Sequence, residues 1–358
     1  IREYYAGEIP WLNTKEIGFN RITDTEVKIT EVGLNHSSAK WIEPNSVIVA
    51  MYGATAGKIA INKIPLTTNQ ACCNLTIDEK IADYNFVYYY LYDSYAELEN
   101  LASGAAQQNL NVGIISDFPI SLPPLAEQRA IAGVLSSLDD KIDLLHRENQ
   151  TLEQIAETLF RQWFVEEASD DWEEILLNDI YMFDKGFEPG SRNYLENKEA
   201  DSIRFIRVGD MLDLKASTYI KKEPGQITCG KKDLLVSFDG TIGRVSFGIE
   251  GAYSSGIRKV YSLNPVYNSL GLKYLLFTSR DIQDVIKSHS SGTVIAHAGS
   301  SIDYLTFRFP KKNRLQEFNQ ITDPMFFKIT KNLDQIETLE KLRNNLLPKL
   351  ISGEVRVI

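Results

Sequence analysis

Long apolar runs are absent from this chain. No uninterrupted hydrophobic stretch approaches the ~20 residues that a membrane-crossing helix needs, so no membrane partner is expected. Cysteine is scarce too. Cys72 and Cys73 are adjacent and Cys229 stands far away, without metal-ligand spacing, so the three read as reduced thiols and the expected location is cytoplasmic. The four histidines, His36, His146, His289 and His297, stand apart from the cysteines, which leaves no zinc-site pattern and no metal expectation. Disordered and collagen-like chains are excluded by a composition of 43% hydrophobic and 24% charged residues. At 358 residues the chain is too long for one compact core and comfortable for two.

Excess positive charge is also missing. The net charge is −10, which argues against a surface coated with phosphate-binding cations. Its distribution is uneven: −6 over 1–123, −7 over 124–171, +2 over 172–312 and +1 over 313–358. Any nucleic-acid surface is therefore local and easier to place in the second half.

What the chain does contain is a repeat of itself, at a shift of about 187 residues. Val47-Ile-Val-Ala-Met-Tyr-Gly53 reads against Leu234-Leu-Val-Ser-Phe-Asp-Gly240, and Thr55-Ala-Gly57-Lys58 against Thr241-Ile-Gly243-Arg244. Ile9–Ile17 reads against Ile203–Met211, Ser103-Gly104 against Ser291-Gly292, and Ile120–Pro123 against Phe307–Pro310. Each match is short; their constant order makes them one duplication. The second copy is preceded by Trp172–Ile180 and a polar stretch without counterpart before Ile9, so a further ~two dozen residues are expected ahead of the first copy, a short first copy being the alternative.

Short β-branched and aromatic runs (Val47–Met51, Ile59–Ile61, Leu234–Phe238, Arg244–Phe247) bounded by Gly, Asn or Pro predict strands of a mixed sheet. Asp83–Leu101 and Leu270–Ser288 predict helices within each copy. After Pro124 and Pro310 the period changes. Leu138, Ile142, Leu145, Asn149, Leu152, Ala156, Leu159 and Trp163 follow alternating steps of four and three, a heptad seam; Ile329, Asn332, Ile336, Leu339, Arg343, Leu346 and Leu350 form a second. The preludes Leu125–Ser136 and Arg314–Met325 also read as helices. Two such helices bury their seams most cheaply against each other, antiparallel, with a sheet domain toward each end. A helix from Asp139 to Glu166 measures roughly 42 Å, close to the 34–36 Å between successive major-groove faces on one side of duplex DNA. The fold class is α+β: two similar mixed-sheet domains separated by an antiparallel pair of long coiled-coil-like helices, a pseudo-two-fold repeat.

Leu122-Pro-Pro-Leu-Ala-Glu-Gln-Arg-Ala-Ile131, Leu159-Phe-Arg-Gln-Trp-Phe-Val165 and the closing Leu346-Leu-Pro-Lys-Leu-Ile-Ser-Gly-Glu-Val-Arg-Val357, together with the repeat, resemble the specificity subunits of type I restriction–modification systems over essentially the whole chain. The resemblance implies target-recognition domains at 1–123 and 172–312, a central conserved helical region at 124–171 and a C-terminal one at 313–358. Each target-recognition domain would read one half of a split DNA sequence while the helices set the gap. It also implies two methyltransferase subunits docked on the helices, restriction subunits joined through them, no catalysis in this chain, and S-adenosylmethionine as a cofactor of the partners alone. Lys311-Lys-Asn-Arg-Leu-Gln-Glu-Phe318 departs from the Pro-Leu-Ala-Glu-Gln pattern, which puts docking at that end in question.

No residues carry an enzyme reading. Gly53-Ala-Thr-Ala-Gly57-Lys58 is one residue short of a P-loop and lacks its Ser/Thr. Asn264-Pro-Val-Tyr267 is similar to the Asn-Pro-Pro-Tyr of amino-methyltransferases, yet no glycine-rich cofactor loop accompanies it, and a turn is the simpler reading.

For DNA contact the sequence offers cations for phosphate and carboxamides or arginine for base edges. The candidates are Thr55 and Lys58 with Thr241 and Arg244 at the paired turns, then Asn69 and Gln70 against Ser255 and Arg258. Arg207 in the repeated Ile203–Met211 run, and Gln107, Gln108, Asn109 and Asn111 against His297, complete the set. A plain hairpin with a surface lysine, or a carboxamide loop that caps a helix, is the structural alternative at each. Tyr88-Tyr89-Tyr90-Leu91-Tyr92 reads as a packed helix face rather than a stacking platform. Trp163, Phe164 and Leu350 are the candidates for partner docking, with burial inside the chain as the competing reading. Two other functions stay open at this point: a coiled-coil scaffold whose sheet domains bind protein or carbohydrate, and a methyltransferase in its own right, which the absent cofactor loop disfavours.

Overall fold

The computed structural model describes residues 2–103, 109–213, 218–290 and 297–357. They fall into two compact units, 1–142 with 338–358, and 143–337.

In the first unit, short strands buried on both faces, such as Val47–Ala50 and Ile59–Asn62, and turn glycines give two four-stranded sheets. One orders Lys28–Ile29, Tyr5–Leu12, Leu66–Thr68 and Trp41–Ile42; the other orders Asn20–Ile22, Ile59–Asn62, Val47–Ala50 and Cys72–Leu75. The second unit repeats this plan with Tyr219–Lys221, Ser202–Ile206, Gly251–Tyr253 and Thr228–Cys229 in one sheet, and Met182–Lys185, Ile257–Tyr261, Leu234–Ser237 and Val245–Ser246 in another. The repeat extends to individual residue pairs. Trp11 and Leu12 lie parallel to Thr67 and Thr68, as Phe205 and Ile206 lie parallel to Ala252 and Tyr253. Asn69 N–H donates to Leu12 O at 3.1 Å, and Ser254 N–H to Ile206 O at 2.9 Å. The duplication read from the sequence is thus one of hydrogen-bond register, not of composition alone.

Each predicted helix of the heads is two helices. Tyr84–Asp93 and Tyr95–Ser103 flank Ser94, and Leu270–Thr278 and Arg280–Ser288 flank Ser279. Serine hydroxyls compete with the helical backbone: Ser279 Oγ–H donates to Leu276 O at 2.6 Å, and its backbone is extended. The preludes, by contrast, merge with the seam helices. One helix runs Leu125–Arg161 over 37 residues, ending in a π-turn, and another runs Lys312–Ile351 over 40 residues. Pro324 lies inside the second, where a missing N–H normally breaks a helix, yet the helix continues between the buried Phe318 and Phe326.

The leading signature explains itself structurally. Gln128 is buried, accepts from Asp83 N–H at 3.0 Å and donates to Pro123 O at 2.8 Å. Asp83 in turn caps Tyr84–Asp93 by accepting from the Asn85 and Phe86 N–H groups. One carboxamide therefore fixes the start of the long helix to the start of a head helix. At the repeat shift the second copy has Leu315, fully buried in its core.

Within the second unit the two long helices run antiparallel, Asn149 opposite Asn332 and Phe160 against Phe318. Asn332 Nδ2–H donates to Asn149 Oδ1 at 2.7 Å and to Glu148 Oε2 at 2.9 Å, so the seam asparagines satisfy one another. Such a pair lowers stability and fixes register. Within the first unit the seam carries a different, ionic layer. Arg343 Nη1–H donates to Asp139 Oδ1 at 2.7 Å, and Tyr89 O–H donates to Asp139 Oδ2 at 2.6 Å, all three groups buried.

Lys273, on Leu270–Thr278, is buried with its ammonium donating to Asn268 Oδ1 at 2.8 Å. Burial pulls it down to about 8, against the pull of Asp233 and Asp323 in the other direction. Below that pH the amine is charged in folded and unfolded chains alike and its burial cost is fully felt. Between about pH 8 and 10.5 the unfolded chain holds the extra proton, so stability rises with pH, by about 3 kcal/mol in total. Denaturation of Lys273→Met beside the parent across that window is expected to show the rise flattened in the variant; parallel curves would remove the effect.

Candidate nucleic-acid interface

Glycine builds the same turn in both units. Val47–Ala50 leaves its sheet, passes the turn Gly53–Thr55 and returns as Ile59–Asn62, with Gly53 and Gly57 at φ +73° and +81°. Gly57 N–H donates to Ala50 O, and Ala50 N–H to Lys58 O, both at 2.9 Å; Gly243 and Ser237, then Ser237 and Arg244, repeat the two bonds at 2.9 Å. Lys58 and Arg244 therefore occupy one structural position. Their freedom differs. The half-buried Lys58 has no ion-pair or side-chain hydrogen-bond partner among the described residues, whereas Arg244 Nη1–H donates to Val208 O at 2.8 Å and Gly209 O at 3.1 Å. Thr55 is half-buried and its carbonyl accepts from Lys58 N–H, while Thr241 is exposed and its carbonyl accepts from Ser237 Oγ–H.

In the second unit the structure gathers the remaining candidates around this turn. Asp239 N–H donates to Gly256 O at 3.2 Å, and a Cβ on Gly256 would stand 2.9 Å from the Val208 side chain. His297 forms a bridge with Asp239 and places Nδ1 2.8 Å from its carboxylate. Arg207 forks onto Asp210 at 2.8 and 3.0 Å, and that carboxylate raises its pKa. Ser255 donates through both N–H and Oγ–H to Glu188 Oε1, at 3.0 and 2.9 Å. Arg258 is buried, donates to Ser255 O at 2.6 Å, and is held below its ordinary pKa by burial against the pull of Asp239 and Tyr253. Arg258 thus supports the loop from beneath, a correction to its place among the readers. Acids interleave with every other cation here, so phosphate must compete with Asp210 and Asp239.

The first unit assembles a more amide-rich face. Tyr52 bridges Asn109, and Leu110 N–H donates to Met51 O at 2.8 Å. Gln70 is exposed. Asn69 is largely occupied: its Oδ1 accepts from Ala71 N–H at 3.1 Å and its Nδ2–H donates to Asn13 Oδ1 at 3.3 Å. Asn111 caps Val112–Ser116, its Oδ1 accepting from Ile114 N–H at 2.9 Å. That is the capping role weighed against base reading for this loop. Gln107 and Gln108 lie outside the described residues.

Sequence reasoning missed Tyr52, Asn13 and Glu188. Only the repeat carries a signal for them: Tyr52 aligns with Asp239, and Asn13 sits where Arg207 sits, each closing a tight turn onto an acid three residues on. The docking candidates need correction. Phe164 is buried between Phe160, Phe307 and Phe318, with rings 4.7–6.1 Å apart, and Leu350 is buried in the core of the first unit. Neither can reach a partner without unpacking. Trp163 is half-buried, with the Arg314 guanidinium 5.3 Å from its ring centre. The exposed apolar residues of the long helices are instead Leu144, Ile155 and Val165, and Ile321, Phe327 and Leu342.

Among the described residues no group of three or more His, Cys, Asp or Glu is placed to hold a metal, and no helix is long and apolar enough to cross a membrane. Cys72 and Cys229 are free and buried, and burial pushes both thiols up to about 12.

The family model of the type I restriction modification DNA specificity domain matches residues 3–154. A type I restriction enzyme MjaIX specificity subunit from Methanocaldococcus jannaschii is 27% identical, over 100% of this chain and 89% of that protein. The EcoBI specificity subunit from Escherichia coli is 26% identical, over 63% of this chain and 54% of its own. A crystal structure of a type I restriction–modification S subunit from M. genitalium shares the fold with a TM-score of 0.56 at 19% identity, covering 98% of this chain and 91% of that one.

Proposed function

We propose that this chain acts as a specificity subunit of a type I restriction–modification system, the DNA-sequence-recognising, non-catalytic component, with a division of labour among its parts. Modules 1–123 and 172–312 each read one half of a bipartite, asymmetric DNA site. The helical regions 124–171 and 313–358 set the spacer and dock two methyltransferase subunits, through which restriction subunits join. Methyl transfer uses S-adenosylmethionine bound by those partners, on cytoplasmic DNA.

One observation supports this reading above the others. The two heads repeat the hydrogen bonds of the glycine turn and of the parallel strand pair while differing at the positions that would meet bases: Gln70 for Ser255, Asn109 for His297, Tyr52 for Asp239. A duplicated frame with diverged polar tips is what two half-sites of different sequence require. A scaffold with protein-binding heads gives no reason for the tips to diverge over conserved glycine turns. The test uses the chain assembled with its methyltransferase partners. Lys58→Ala is expected to weaken binding at all sequences alike and to reduce the slope of log affinity against log salt by about one. An unchanged slope would take this turn out of phosphate contact, and methylation by the chain alone would overturn the non-catalytic assignment.

A further inference from the structure

In the second unit one arginine is held unlike the others. Arg207 follows Ser202–Ile206, an inner strand of its sheet, and opens the tight turn Val208–Asp210. Its Nε–H and Nη2–H donate to the two carboxylate oxygens of Asp210 at 2.8 and 3.0 Å, and its backbone N–H donates to Asp210 Oδ2 at 3.2 Å. The Asp210 side chain is 10% exposed and that of Arg207 49%, so the carboxylate grips the guanidinium from the protein side. A fork of this kind occupies the Nε edge. The end edge, Nη1–H with the second Nη2–H, presents two parallel donors that no described residue accepts from.

The turn itself is pinned from several sides. Arg244 Nη1–H donates to Val208 O at 2.8 Å and Gly209 O at 3.1 Å, the two carbonyls between Arg207 and Asp210. Ser254 N–H donates to Ile206 O at 2.9 Å, and Ser246 Oγ–H to Met211 O at 2.6 Å. A Cβ on Gly256 would stand 2.9 Å from one Val208 methyl, and a Cβ on Gly240 4.0 Å from the other. The guanidinium is therefore set in place before any ligand arrives, which is what geometric recognition requires.

Charge decides what such a group recognises. Asp210 neutralises Arg207, so a phosphate gains little there. A neutral edge with two acceptors needs only fixed donors, and guanine O6 and N7 supply that edge in the major groove. Adenine sets its N6 donor against one of the two, and is refused. In the first unit Asn13 stands at this position, with its N–H on Glu16 Oε1 at 3.1 Å and its Oδ1 accepting from Asn69 at 3.3 Å, so the first head has no equivalent fork.

We propose that Arg207 reads a guanine in the half-site recognised by residues 172–312, and that Asp210 and Arg244 are the residues that position it. The inference rests on the DNA-reading function proposed above and adds to it the base and the reader. It also gives Arg244 a task different from that of Lys58, its counterpart in the repeat.

The test uses the chain assembled with its methyltransferase partners and duplexes carrying its recognised site, in which each guanine in turn is replaced by 7-deazaguanine. That base pairs normally but lacks the N7 acceptor. At one guanine of the second half-site the replacement is expected to weaken binding by the parent about tenfold, and binding by Arg207→Met not at all. On the unmodified site Arg207→Met is expected to bind about 10–100-fold more weakly than the parent, with the salt slope unchanged. Asp210→Asn and Arg244→Met are expected to lose sensitivity at that guanine alone. Arg207→Lys, which keeps the charge without the fork, is expected to behave as Arg207→Met. Full recovery by lysine, or a salt slope that falls in Arg207→Met, would make the contact one to phosphate and overturn the inference. So would a sequence-specific parent in which every guanine responds alike with and without Arg207. A parent complex with no sequence preference would instead overturn the DNA-reading function itself, and the inference with it.

Discussion

Arg343→Met is expected to lower the unfolding free energy of the unit formed by 1–142 and 338–358 by about 3–5 kcal/mol, the usual cost of leaving one member of a buried ion pair behind. Asp139 and Arg343 are both buried, their charged ends are 2.7 Å apart, and the remaining Asp139 oxygen accepts from Tyr89 O–H. Burial works against the Arg343 charge, but Asp139 and then Tyr92 more than offset it, so its pKa is raised. Removing the guanidinium strands a carboxylate in a layer where a second cation, Arg21, is already bound to Asp140. The double variant Asp139→Leu with Arg343→Met is expected to recover most of the loss, because two apolar side chains replace the pair without stranding a charge. Denaturant titration of the three variants decides it. A single variant within about 1 kcal/mol of the parent would place the pair in effective contact with water.

Exchanging residues 172–312 for the equivalent head of another specificity subunit is expected to change one half of the recognised DNA sequence and leave the other half and the gap untouched. The second head carries its own set of proposed reading residues, and its glycine turn and strand register are internal to it. Discrimination between specific and non-specific DNA is typically about 10³-fold or more, so the original full site is expected to lose binding by about that factor. A change in both half-sites would contradict the modular assignment.

Much of the fold was legible because its signals are local. Gly53, Gly57, Gly240 and Gly243 all sit at positive φ, a backbone state that favours glycine, and the runs around them, in constant order with the other matches, exposed the duplication. The seams were legible in the heptads, and both asparagines stood out as polar interruptions. That Asn149 and Asn332 meet was not, because pairing depends on how helices 183 residues apart slide on one another. Phe164 and Leu350 were misread for a related reason. A helix in this fold has two apolar faces, one toward its partner helix and one toward a sheet domain, and a single seam accounts for only the first. At the site, turn geometry was readable, but side-chain freedom was not. Arg244 is tied to carbonyls 35 and 36 residues away and His297 to a carboxylate 58 residues away. No local pattern encodes those partners.

The central claim, two unlike readers on a duplicated frame that performs no chemistry, is tested most directly by single-molecule sequencing of modified bases in the genome of a host carrying the complete system. The predicted result is a methylated motif made of two short defined blocks of different sequence separated by a fixed stretch of unspecified bases, lost when this chain is deleted. A palindromic or uninterrupted motif, or modification that persists without the chain, would contradict the account.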